Sequence, residues 1–184
     1  MKSCNIILLC LLLMGISSCS RKSSTNTDNR DSLLAYDETM RGGVIEMNRF
    51  VIKDTVRYGM HLYEYKIVRE ADSTLAKVQD QESKNIYMDN HILLTIKKDS
   101  MDFFRKTFVK RDFQEYLDNN FLQNGILEGF VFDSPVGEGL RFATSVSYPQ
   151  SDMYIPLLVT IDFNGGISIK KDNYMENEMG DSAD

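Results

Sequence analysis

The chain has no tryptophan, only three prolines, two histidines and three cysteines in 184 residues. The cysteines are the most informative scarcity. Cys4, Cys10 and Cys19 all stand near the start, so nothing beyond Cys19 carries a thiol. Disulfides, thiolate nucleophiles and cysteine-based metal sites are thereby excluded from whatever folds downstream. A body of ~130 residues has to rely on its apolar core alone, and a chain of that size can supply one. The histidines, His61 and His91, fall on expected strands without His-x-His or His-x-x-x-His spacing. A metal site would need a third ligand, such as Glu64 or Asp89, and two ordinary, partly exposed histidines are the simpler reading. There is no Gly-x-Ser-x-Gly elbow either. Ser145 and Ser147 alternate along a plain strand, on its expected outer face. Carboxylates are plentiful, but no spacing sets two of them ~5 or ~7–9 Å apart in a cleft, as glycoside hydrolysis needs. Asp162-Phe163-Asn164-Gly165-Gly166 is out of register for a calcium loop and lacks the closing acid. No cofactor is expected. Positive charge is also short: 21 Lys and Arg face 27 Asp and Glu, a formal net charge of −6. That balance argues against nucleic acid and against an electrostatic grip on anionic lipid.

What is present begins with a signal. Met1 and Lys2 open the chain, Ile6 to Leu13 is apolar except at Cys10, and Gly15, Ser17 and Ser18 lead to Cys19. A charged start, a short apolar centre and a small-residue exit define a secretory signal. The apolar centre falls short of the ~20 residues a membrane span requires. Ile16-Ser17-Ser18-Cys19 resembles the lipobox of bacterial lipoproteins, with Ile16 where Leu is frequent and Ser18 where Gly or Ala is frequent. The resemblance implies cleavage before Cys19, a diacylglycerol on its thiol and acylation of the new amino group. The expected partner of Cys19 is therefore the membrane, through acyl chains. Each buried methylene contributes ~0.8 kcal/mol, so two or three chains hold where one is marginal.

The expected organisation is a signal peptide over 1–18, lipidated Cys19 and a flexible tether over 19–42, a single β-rich domain over 43–172 and a disordered acidic tail over 173–184. Residues 20–32, SRKSSTNTDNRDS, have no apolar side chain and reach ~20 Å as a random coil. Leu33 to Met40 reads as a short helical turn or irregular chain, broken by Gly42 and Gly43. From Val44 the period is two. Phe50 to Ile52 and Thr55-Val56 lead to a turn near Gly59. Met60 to Val68 sets Tyr63, Tyr65 and Ile67 on one face. Leu75 to Gln79 is a weaker strand, and 80–85 is loop. His91 to Lys98 is another strand. Phe104 and Phe108, then Phe113 and Leu117, are four apart, which predicts one or two short helices between Asp102 and Phe121, stopped at Asn124-Gly125. Ile126 to Phe132 is a strand and 133–139 a loop. Leu140 to Tyr148 alternates cleanly. Ile155 to Phe163 follows, and Asn164-Gly165-Gly166 turns the chain back through Ile167 and Ile169.

These elements predict a mainly β fold, an antiparallel sandwich or curved half-barrel of about eight strands with a short helical insertion. The alternative is α+β, with helices packed on one antiparallel sheet. The lipobox, the aromatic segment from Phe104 to Leu117, ILEGFVFD at 126–133, SVSYPQSDMYIPL at 145–157 and the NGGISI hairpin together resemble uncharacterised small lipoproteins of Bacteroidetes, over about residues 44–172. That resemblance brings no catalytic residues. It implies an outer-membrane setting. Ser20-Arg21-Lys22-Ser23 stand where surface-bound relatives often carry acids, which favours the periplasmic face over the cell surface.

One loop stands out as a contact surface. YPQSDMYIP, 148–156, holds two prolines, two tyrosines and a methionine between two strands. Prolines reduce the entropy lost on binding, and Tyr and Met are frequent contact residues. Tyr148, Met153 and Tyr154 are the candidate contacts. Against this stands plain core completion at the strand ends. The aromatic segment 103–121 is core rather than a ligand box, because its spacing fits one buried stripe. The functional expectation is a non-enzymatic, membrane-anchored binding or interaction domain for an envelope protein or a small apolar ligand. The alternatives are an envelope hydrolase with a carboxylate-based site and a structural or assembly accessory protein. A cleft with a histidine beside buried carboxylates would favour the enzyme. A dry apolar cavity would favour a small ligand, and a flat, sealed surface a protein partner.

Overall fold

The structure, a computed structural model, describes residues 38–41 and 43–173. The expected signal peptide, the expected lipidation site Cys19 and the expected tail beyond Asn173 lie outside the described residues. Twelve strands are described. The first large sheet is a meander of β3 (Phe50–Tyr58), β4 (His61–Ala71), β7 (Asn90–Lys98) and β8 (Met101–Val109), each antiparallel to the next. The second is a meander of β9 (Ile126–Val136), β10 (Gly139–Ser147), β11 (Tyr154–Asp162) and β12 (Ile167–Lys171). A 3-10 helix (Lys110–Tyr116) and α1 (Asn119–Asn124) join the two. A third, small sheet pairs β1 (Glu38–Arg41), β2 (Val44–Met47), β6 (Ile86–Tyr87) and β5 (Val78–Gln79), with β2 and β6 parallel.

The fold is the expected mainly β sandwich, and its core is one continuous cluster between the two large sheets. Tyr63, Tyr65 and Ile67 of β4 and Ile92, Leu94 and Ile96 of β7 meet Phe130, Leu140, Phe142, Val146, Val159 and Ile161. Alternation places them there, because successive side chains of a strand take opposite faces. Phe113 and Phe121, from the two short helices, complete the cluster.

Several boundaries differ from the sequence reading. The helical segment expected from Asp102 begins only at Lys110, and Met101–Val109 is strand. Phe104 pairs with Ile96 and Phe108 with Ile92, both facing inward. A spacing of four returns to the same face of a strand as well as of a helix, so those two phenylalanines carried no choice between the periods. Strand gives way to helix where Val109 N donates to Asp112 Oδ2 at 2.8 Å and Lys106 Nζ meets Asp112 Oδ1 at 3.1 Å. The expected loop 133–139 shrinks to Gly137-Glu138. Asp133 to Val136 remain in β9, held by the Arg141–Asp133 ion pair at 2.6 Å. Pro135 is tolerated because it sits on an edge strand. Residues 38–41, expected at the end of the tether, pair with β2. Gly139 is required by close approach: a Cβ there would lie 2.1 Å from Ile161 O.

Candidate functional site

The loop from Ser147 to Tyr154 is built by local hydrogen bonds. Tyr148 N donates to Met153 O at 3.0 Å, Ser151 N to Tyr148 O at 3.2 Å and Met153 N to Ser151 Oγ at 3.1 Å. Gln150 takes the left-handed conformation, φ 53°, to close the turn, and Pro149 is buried. Tyr148 stacks flat on Phe121, with ring centroids 4.3 Å apart and planes 9° apart. Phe121 is itself fixed, because its N–H donates to Asp118 Oδ1 at 2.9 Å, the N-cap of α1. Burial pushes the Tyr148 phenol above its ordinary pKa, and the Asp118 carboxylate adds to the rise. Tyr148 therefore belongs to the support. Met153 and Tyr154 stand out from it, 55% and 42% exposed. Of the three candidate contact residues, two are presented and one holds them.

The histidines are not brought together. His61 pairs with Tyr58 at one end of the first sheet, and His91 pairs with Glu70 toward the other. His61 Nδ1 lies 2.6 Å from Asp99 Oδ2. His91 lies between two carboxylates, with Nδ1 3.0 Å from Asp72 Oδ2 and Nε2 3.5 Å from Glu70 Oε2. Thr74 holds the Asp72 carboxyl below its ordinary pKa by donating from both its hydroxyl and its N–H; His91 adds to this. Among the described residues no cluster of His, Cys, Asp and Glu has the geometry to hold a metal ion. Asp162, the first residue of the calcium-like turn, accepts at Oδ1 from Asn164 N at 2.7 Å and from Gly166 N at 2.8 Å. Ser147, expected on an outer face, is buried. Its partner Ile126 packs with Met47 and Val78, so the small third sheet covers that side.

The structure also holds a buried polar seam that sequence reasoning missed. Asp89, Asn90 and Glu128 are all less than 5% exposed. Asp89 Oδ1 accepts from Leu127 N and from Asn90 N, each at 2.8 Å, and its Oδ2 lies 3.3 Å from Lys110 Nζ. Lys110 Nζ also donates to Gly125 O at 2.6 Å. Asn90 Nδ2 donates to Leu127 O at 2.8 Å, and Arg69 reaches Glu128 O at 3.0 Å and Asn48 O at 3.2 Å. Glu128 stands where the β9–β10 register slips, a β-bulge. Asp and Asn before a strand read as turn residues, which concealed this role. The seam ties β7, β9 and the start of the 3-10 helix together, and its carboxylates do not reach solvent.

The surface is otherwise open. A groove of about 410 Å³ runs between the 3-10 helix and β12, lined by Arg111, Glu115, Tyr116 and Ile167 among others. Tyr116 Oη donates across it to Ile169 O at 2.6 Å. A second groove, about 380 Å³, lies over the β7–β8 bulge.

Fold and surface together define a class: a two-sheet antiparallel β-sandwich with a sealed aromatic core and a braced, apolar-tipped loop. The family follows from comparison. Residues 29–169 match a family described as a domain of unknown function, DUF4738, and the chain belongs to that family. No curated protein matches the chain. The match agrees with the coarser part of the sequence resemblance, an uncharacterised family.

Proposed function

We propose that this protein is a lipid-anchored lipoprotein of the bacterial cell envelope whose sandwich is a non-enzymatic interaction domain. Its contact with a protein partner is the β10–β11 loop. The observation that carries the reading is the pairing of exposure with rigidity. Met153 and Tyr154 project from a loop whose base, Tyr148, is stacked on a capped helix. A pre-ordered loop loses less freedom on binding, and exposed Tyr and Met are the side chains that interface cores favour. The anchor is read from Ile16 to Cys19, and Ser20 to Ser23 favour the periplasmic face of the outer membrane.

Two experiments test the two halves. Crosslinking in intact cells with partner identification is run on wild type and on Met153→Ser/Tyr154→Ala. Loss of about 2 kcal/mol of contact energy, typical of a hot spot, predicts a partner yield reduced about thirtyfold at unchanged thermal stability. A double variant that retains every wild-type crosslink sinks the contact assignment. For the anchor, Cys19→Ala is expected to release a folded protein from membranes. Continued sedimentation of that variant, with no labelled fatty acid taken up by wild type, removes the lipoprotein reading.

A further inference from the structure

The net charge of −6 is not evenly spread. The outer face of the first large sheet, turned from the core, carries Lys53 and Arg57 on β3, Lys66 on β4, Lys97 on β7 and Arg105 on β8. Register sets three of them in a line across the sheet. Lys53 stands opposite Lys66, Lys66 opposite Thr95, and Thr95 opposite Arg105. Like charges directly opposite one another destabilise an antiparallel pair. None of the five cations forms an ion pair with another described residue. The carboxylates on the same face are Glu64 and Asp102, both in register with Lys97, and Glu70 toward one end. Glu64 accepts from Ser100 Oγ at 3.4 Å, and Glu70 is taken by Arg49 and His91. At the opposite end of this sheet stand Met60 and Met101, 91% and 70% exposed. Met101, in register with Lys98 and through it with Tyr63, takes the core-facing side, and Met60 projects from the turn. They sit at adjacent hairpin tips that Asp99 ties together, accepting Leu62 N at 2.9 Å and meeting His61 at 2.6 Å.

We infer that this face docks on a bilayer surface of anionic phospholipid headgroups. The Lys53–Lys66–Arg105 line lies over phosphates, and Met60 enters the apolar boundary at one end. Charge complementarity selects an anionic partner, and the geometry selects a planar one. The cations come from four different strands on an open sheet face, so a single extended peptide would meet only one row of them. A projecting methionine, Met60, at the border of a cationic face suits a surface that is anionic outside and apolar beneath. The whole-chain sum concealed this, because headgroup attraction depends on charges within about one Debye length, ~8–10 Å, and not on the total.

This site acts without acylation, so its test omits the anchor. Residues 19–184 with Cys19→Ala are floated with vesicles of phosphatidylglycerol and phosphatidylcholine, or of phosphatidylcholine alone. Wild type is expected on the anionic vesicles only, and binding falls as salt rises. Lys53→Gln/Lys66→Gln/Arg105→Gln is expected to bind about a hundredfold more weakly, from the attraction each cation supplies near an anionic surface. Met60→Ser is expected to weaken binding while keeping the salt response. If the triple variant unfolds, the exposed single change Lys53→Gln is read instead, with a severalfold loss expected. Equal binding to both vesicle types, undiminished binding of the lysine variants, or displacement by polyglutamate at equal charge as effective as by anionic vesicles would each overturn the assignment. The contact loop is unaltered in every variant, so these outcomes leave its test independent.

Discussion

Tyr65 sits on the inner face of β4 with Phe132 and Phe142 at 5.1 and 5.9 Å between ring centroids. Burial pushes its phenol up to about 12, and the carboxylate of Asp54, its register partner on β3, adds to the rise. An unfolded tyrosine ionises near 10. Between those values the unfolded chain gives up this proton and the folded chain keeps it. The stability due to Tyr65 is therefore complete below pH ~10 and is lost as pH rises toward about 12. Urea unfolding across that window should show wild type weakening more steeply than Tyr65→Phe. Identical slopes would mean that another group sets the alkaline limit. The inward position of Tyr65 was legible from the alternation Tyr63, Tyr65, Ile67. The burial of Asp89 and Glu128 was not, because a carboxylate in sequence reads as surface, and only three-dimensional partners such as Leu127 N and Lys110 reverse that.

Elements here are delimited by contacts that a linear pattern carries poorly. Phe104 and Phe108 satisfied helix and strand alike, and pairing with β7 decided for strand. The loop expected at 133–139 became strand through Arg141, whose partner Asp133 lies across the hairpin. The loop expected over 148–156 lies between β10 and β11, with its last three residues, Tyr154 to Pro156, already in β11. Its division into support and projection was not legible, since nothing near Tyr148 in sequence announces Phe121 as its stacking partner. One tie between elements is Lys110 at the start of the 3-10 helix. Its ammonium, with the side chain 12% exposed, bridges Asp89 ahead of β7 and Gly125 O at the end of α1. Removing one member of a buried pair strands the other charge, at a cost of ~3–5 kcal/mol. Lys110→Ala should lower the unfolding free energy by about that much in urea titration. A change within ~0.5 kcal/mol, the range of ordinary surface substitutions, would show that water replaces the ammonium freely.

At the scale of the molecule, the two large sheets are successive segments of chain; the second is a simple meander, and the first is interrupted between β4 and β7 by β5 and β6 of the third sheet. The second was readable, because short turns favour pairing of neighbours. The first was readable only in part, since Met101 to Val109 was expected helical and the expected strand Leu75 to Gln79 belongs to the third sheet. The third sheet was not, since it joins β2 in parallel to a two-residue β6 far along the chain, and so short a strand has no period to detect. Neither meander can bury its inner face alone; each is the other's solvent shield. Phe142 stands at this junction. It is fully buried on β10, 5.6 Å from both Phe130 and Phe132 within its own sheet and 5.9 Å from Tyr65 across the gap. Phe142→Ala should cost ~3–5 kcal/mol from lost burial and an unfilled cavity. The loss should also be shared. If the sandwich unfolds as one unit, amide exchange in β4 and β7 must accelerate by the same free energy as in β10 and β11, because breaking either sheet exposes the other. Exchange that accelerates in the second sheet while the first keeps its protection would show two separately stable layers, and the sealed core would then not be what holds the contact loop and the cationic face in one frame.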